Sequence, residues 1–132
     1  MNTFRVSEAA TLLGLSDDTI RRLIDSGKLA SSTDSAGRKV IAGKDLAAFA
    51  LAEAEAPKDP TGIDSSARNR LTGLVTKVTM DKVMAEVQMV CGPFVIVSLM
   101  SAESARRMGL EPGKLAVASI KSTMVVIEAS TT

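Results

Sequence analysis

A chain of 132 residues with 45% hydrophobic residues, 23% charged residues and a net charge of +1 has room for one domain or two small ones. It buries a core and carries no global attraction to DNA or membrane. It holds no His, Trp or Tyr, three Phe and a single Cys. That excludes His-based acid–base catalysis, the Ser-His-Asp triad, His-ligated zinc and an intrachain disulfide, and it argues against an aromatic platform for stacked bases. The expectation is a non-enzyme with an aliphatic core and no cationic metal. The free thiol of Cys91 suits a reducing cytoplasm. The Met1-Asn2-Thr3-Phe4-Arg5 start lacks the pattern of a signal peptide, and no apolar run has membrane length.

In chain order, Ser7 is the predicted N-cap of a first helix, with Glu8 in its first turn, Ala9, Ala10, Leu12 and Leu13 following, and Gly14 at its end. Ser16 caps a second helix, with Asp17 and Asp18 behind it and Ile20, Leu23 and Ile24 at helical spacing before Gly27. Two short helices joined by a Gly-Leu-Ser turn follow the helix-turn-helix plan, in which the second helix projects one face outward. With Ile20, Leu23 and Ile24 as the buried stripe, Asp18 and Arg22 point outward, flanked by Arg21 and Thr19, and these are the candidates for touching DNA. Residues 28–32 and 38–41 bracket a turn-rich segment at 34–37 and predict a small β-hairpin, or wing. A third helix follows, with Asp45 near its start and Leu46, Phe49 and Ala50 on its packing face. Residues 1–56 carry seven Lys/Arg against eight Asp/Glu, so a single copy has weak electrostatic affinity for DNA and needs an assembly.

Pro57, Pro60 and Gly62 break regular structure and predict a linker over 56–64, between a domain at 1–55 and another at 65–132. Beyond it the period becomes strand-like, over 71–79, 83–90, 94–100, 115–121 and 124–128, with a short helix capped by Ser101 between the third and fourth strands. The fold class is α+β in two domains: a winged helix-turn-helix followed by an OB-like five-stranded β-barrel. Arg106 and Arg107 suit the dipole at the end of the short helix. Ser65-Ser66-Ala67-Arg68-Asn69 and Lys121-Ser122-Thr123 each join a cation to hydroxyls on irregular backbone. Together they are chemically sufficient for a tetrahedral dianion, which needs about two positive charges and several donors.

Phe4 to Ala10, Ser16 to Leu29 and Gly37-Arg38-Lys39-Val40-Ile41 resemble the winged-helix DNA-binding domain shared by excisionases and MerR regulators. The resemblance implies double-stranded operator DNA as partner, base-edge contacts from Thr19, Arg21 and Arg22, and phosphate contacts from Arg38 and Lys39. Ser66-Ala67-Arg68-Asn69-Arg70-Leu71-Thr72-Gly73, Gly109-Leu110-Glu111-Pro112-Gly113 and Lys121-Ser122-Thr123 are similar to the molbindin, or Mop/TOBE, domain. That family implies an OB-like barrel binding molybdate or tungstate with no organic cofactor. Ser66, Arg68, Lys121 and Ser122 match its oxyanion ligands, at a site between subunits of a homo-oligomer, a dimer or a hexamer built as a trimer of dimers. Met124 and the Cys91-Gly92 turn depart from the usual pattern of that family. The implied function is an oxyanion-responsive transcriptional regulator. Alternatives are an oxyanion store whose helix-turn-helix serves assembly or protein contacts, and an architectural DNA-binding protein whose barrel only oligomerises.

Overall fold

The computed structural model describes residues 2–131 and places the boundary between two structural units after Glu55. The first unit runs β1 (Thr3–Arg5), α1 (Val6–Leu13), α2 (Asp17–Asp25), β2 (Ser32–Thr33), β3 (Lys39–Ala42) and α3 (Gly43–Glu53). Helix α1 begins ahead of the start expected from Ser7: Arg5 holds the N-cap position, and its amide donates to Glu8 Oε1 at 2.9 Å. A glutamate at the third helical position satisfies that amide from within the helix and so sets the earlier start. Helix α2 starts where expected, because Ser16 Oγ accepts from the Thr19 amide at 3.1 Å.

Both helices deliver their apolar stripes to one aliphatic core of Val6, Ala9, Ala10, Ile20, Leu29, Ile41 and Leu46, against which Leu23, Ile24 and Phe49 pack. The wing is present, with Ser32 opposite Val40 and Thr33 opposite Lys39. Its first strand is shorter than the 28–32 reading because the Lys28 and Leu29 amides both donate back to the Leu23 carbonyl, closing α2. Asp34 shapes the turn by accepting from the Ala36 and Arg38 amides at 2.9 Å each. Strand β1, which the sequence pattern did not announce, pairs with the other side of β3 and completes a sheet of order β1-β3-β2.

The second unit contains β4 (Asn69–Met80), β5 (Met84–Cys91), β6 (Phe94–Ser101), α4 (Ala102–Arg107) and β7 (Leu115–Ile120). Its sheet is antiparallel, in the order β6-β5-β4-β7. Strand β4 is shared: its first half, to Leu74, pairs with β7, and from Leu74 onward it pairs with β5, with a register shift between Val75 and Lys77. Such an irregularity bends a strand and raises its twist, which curls the sheet in the OB-like manner. Alternation along β5 buries Ala85, Val87, Met89 and Cys91. Helix α4 is capped by Ser101, whose Oγ accepts from the Ser104 amide at 3.1 Å.

The expected fifth strand at 124–128 is corrected. Ser122–Met124 forms a 3-10 turn, residues 125–131 belong to no strand, and Val126 and Ile127 are 81% and 86% exposed. A β-branched run has the propensity for a strand, but a strand exists only where a ladder partner stands beside it. The sheet therefore has four strands. No helix among the described residues is long and apolar enough to cross a membrane.

Candidate functional site

In the second unit, the β4·β7 ladder begins with Asn69 opposite Ile120. Asn69 Nδ2 pins this end by donating to the Ile120 carbonyl at 3.0 Å. In that antiparallel register Arg68 stands one step beyond Asn69 and Lys121 one step beyond Ile120, so the two cations leave the same end of the ladder. Ser66 and Ser122 follow on the two irregular segments. Between Ser66 and Arg68, Ala67 is buried and its amide donates to Ser65 Oγ at 3.1 Å, which anchors the approach to β4. Ser66, Arg68, Lys121 and Ser122 are all exposed.

Neither Arg68 nor Lys121 has an ion-pair partner among the described residues. The contrast with Arg70 is informative. Its Nε donates to Asp59 Oδ2 at 2.7 Å and its Nη2 to Thr61 Oγ1 at 2.9 Å. The Arg70 hydrogen bond, reinforced by the Thr61 hydroxyl and amide, holds the Asp59 carboxyl well below the usual carboxylate range. Arg70 is thus a compensated structural cation, whereas Arg68 and Lys121 have no carboxylate partner among the described residues. The Met124 amide donates to the Lys121 carbonyl at 2.9 Å, and the Ser122 and Thr123 amides ahead of it take no part in that turn's own bonding. The chemistry on offer is two positive charges, two hydroxyls and backbone donors, which suits a small oxyanion. No group of three or more His, Cys, Asp or Glu able to hold a metal cation occurs among the described residues.

In the first unit the five predicted DNA contacts lie on α2 and the wing, and they divide into two sets. Thr19 is half-buried; its Oγ1 lies 2.8 Å from Ser16 Oγ and accepts from Arg22 Nη2 at 3.3 Å. Its hydroxyl therefore steadies Arg22 as well as the helix start. Arg21 points elsewhere: Nη1 lies 3.6 Å from Asp18 Oδ1, and the residue lines a cleft together with Arg5, Ser7, Asp17, Arg38 and Lys39. Arg38 Nε donates to Asp34 Oδ2 at 3.2 Å, and the Arg38 amide, Ala36 amide and Arg38 side chain together lower the Asp34 carboxyl below its ordinary value. Arg5, which the sequence pattern did not single out, lines the same cleft; with the N-cap expected at Ser7, nothing local marked its position as the helix cap.

Residues 65–127 match the TOBE domain family, and residues 3–54 match the helix-turn-helix domain family. The chain is similar to a solved molybdate-binding protein from Sporomusa ovata, with 25% identity over 51% of this chain and 100% of that one and a TM-score of 0.49. It is similar to MopII from Clostridium pasteurianum, with 37% identity over 50% of this chain and 100% of that one and a TM-score of 0.46. The cytoplasmic molybdate-binding protein ModG shows 40% identity over 48% of this chain and a TM-score of 0.45, and the match spans 46% of ModG. No curated protein matches the chain.

Proposed function

The chain carries a helix-turn-helix domain followed by a TOBE domain, and from that pairing we propose that it binds molybdate or tungstate and double-stranded DNA, acting as an oxyanion-responsive transcriptional regulator in the cytoplasm. The observation that carries the oxyanion half is the emergence of Arg68 and Lys121 from one end of the β4·β7 ladder without carboxylate partners. Arg68 supplies a planar fork of donors and Lys121 a compact charge, which together balance a tetrahedral dianion; Ser66, Ser122 and nearby amides supply the remaining donors. All four side chains are exposed in one copy, and an ion held in open water gains little over its hydration. A second copy covering the site removes that competition, so the functional form is a homo-oligomer.

On the DNA side, Arg22, steadied by Thr19, faces base edges, and Arg38 and Lys39 meet the backbone. An anion bound between copies favours one arrangement of the copies, and that differential affinity is the coupling to DNA. The balance of seven cations against eight carboxylates in the first unit favours one second reading, an oxyanion store in which the helix-turn-helix domain serves assembly.

The test is calorimetric titration with molybdate, tungstate and sulfate, for the wild type and for Arg68→Ala. Saturable binding of the two metal oxyanions is expected, weakened about tenfold or more in the variant at unchanged circular dichroism. No heat from either oxyanion overturns the reading. Fluorescence anisotropy of a labelled duplex, with and without molybdate, separates regulator from store: a DNA affinity that moves with molybdate supports the regulator, and absence of DNA binding supports the store.

A further inference from the structure

Arg5 occupies the N-cap of α1, where its side chain accepts nothing from the first-turn amides and places a positive charge beside the positive end of the helix. Its backbone amide is cared for by Glu8 at 2.9 Å, so the side chain is not needed to start the helix. A position that breaks a local stability rule without any visible packing return points to a functional demand. The surroundings of Arg5 suggest which demand. Arg5 pairs with Val40 in the β1·β3 ladder, which brings it to the root of the wing next to Lys39. There it lines a cleft of about 410 Å³ with Ser7, Asp17, Arg21, Arg38 and Lys39.

Four cations thus meet one carboxylate around a single concavity that draws on β1, α1, α2 and the wing. Arg21 and Arg38 pair with Asp18 and Asp34, neither of which lines the cleft. Arg5 and Lys39 have no ion-pair partner among the described residues. Two cations without partners beside two paired ones, in a unit with no net positive charge, concentrate positive potential in one concavity rather than over a general basic surface.

We infer that Arg5, Arg21, Arg38 and Lys39 form one seat for a DNA backbone phosphate, with Arg5 as a phosphate contact that replaces a helix cap. This rests on the DNA-binding reading above and extends it in two ways. It adds Arg5 to the interface, and it moves Arg21 from base reading to phosphate contact, leaving Arg22 as the arginine of α2 that faces bases. The seat anchors the wing and the start of α1 to the same strand and so fixes the entry angle of α2.

The experiment uses the full chain and a fluorescein-labelled duplex of mixed sequence, whose phosphates are the ligand whatever the operator is. Anisotropy titrations across a salt series compare the wild type, Arg5→Ser and Arg5→Lys. For Arg5→Ser the expected result is about a fivefold to tenfold weaker affinity and a salt dependence shallower by about 0.9 in log–log slope, the signature of one lost phosphate contact. The same variant is expected to melt at a higher temperature, because serine restores the cap, and to leave molybdate titration unchanged. Arg5→Lys keeps the charge and retains the wild-type slope. Wild-type affinity and slope in Arg5→Ser overturn the seat alone, while a wild type that binds no duplex overturns the DNA-binding reading and the seat with it. A lowered melting temperature in Arg5→Ser would mark the arginine as structural and overturn the exchange of stability for charge.

Discussion

A Cβ added at Gly73 would run into the Val90 carbonyl and come within 2.8 Å of Cys91 Sγ. Backbone conformation does not demand this glycine, whose φ is not positive; space does, because β5 crosses close over β4 where Cys91 Sγ also reaches the Leu71 carbonyl at 3.6 Å. The sheet is backbone at that point and has no flexible end to yield. Gly73→Ala is therefore expected to destabilise the second unit by about 2 kcal/mol, the scale of an overpacked core, read as a lower midpoint in urea denaturation. At Arg5 the sign is opposite: Arg5→Ser is expected to gain about 1 kcal/mol from a restored N-cap. The sequence showed that Gly73 belongs to a motif and left out why, since the close approach is to Val90 and Cys91 on the neighbouring strand. It also singled out Arg68 over Arg70 by motif alone and named a partner for neither. Which of the two is compensated depends on Asp59, eleven residues upstream of Arg70 and separated from it by Pro60 and Gly62, where periodicity carries no information.

At the level of elements, most helices and strands were legible because each carries its own local evidence: Ser16 and Ser101 as caps, the Ile20-Leu23-Ile24 stripe, the alternation along β5. Two elements were not. Strand β1 is three residues long and exists through its pairing with β3; the 124–128 segment has strand composition without a partner. The segment ahead of β4 is likewise more than a tether, since Asp59 accepts from Arg70 Nε and from the Thr61 amide and hydroxyl. Asp59→Asn removes the charge from that clasp and is expected to speed proteolysis within residues 56–64 while leaving β4 and β5 protected. The same clasp makes a pH prediction. A carboxyl whose folded pKa is depressed stabilises the fold fully above its unfolded value and loses that contribution as pH falls through the folded one. Protection of residues 56–64 against hydrogen exchange is thus expected to hold at pH values above about 4 and to decline only under more acidic conditions. Uniform protection on both sides of that range in the wild type, or an Asp59→Asn variant indistinguishable from it, would show that the clasp does not restrain the segment.

For the whole molecule the decisive quantity is the apolar surface that one copy leaves in water. Phe94, Val95, Val97 and Leu99 on β6 are 67%, 61%, 56% and 69% exposed, and the 125–127 run adds Val126 and Ile127. Monomeric proteins seldom leave a strand so apolar at a sheet edge, because an unpaired edge invites another chain. In the proposed reading a second copy is the occupant, since it would also cover Ser66, Arg68, Lys121 and Ser122, which are exposed in the single chain, and a dianion gains most where water is excluded. On that proposal assembly and ligand binding share one cause and are expected to fail together. Leu99→Lys places a charge on the outer face of β6 without touching the core, so the variant is expected to keep its circular dichroism. In light scattering it is expected to lose mass relative to an oligomeric wild type, and in calorimetry to bind molybdate about tenfold or more weakly. If the variant dissociates and still binds molybdate at wild-type strength, a single copy completes the site and assembly serves DNA spacing alone; if the wild type itself is monomeric, the exposed strand has another occupant and the coupling between copies falls.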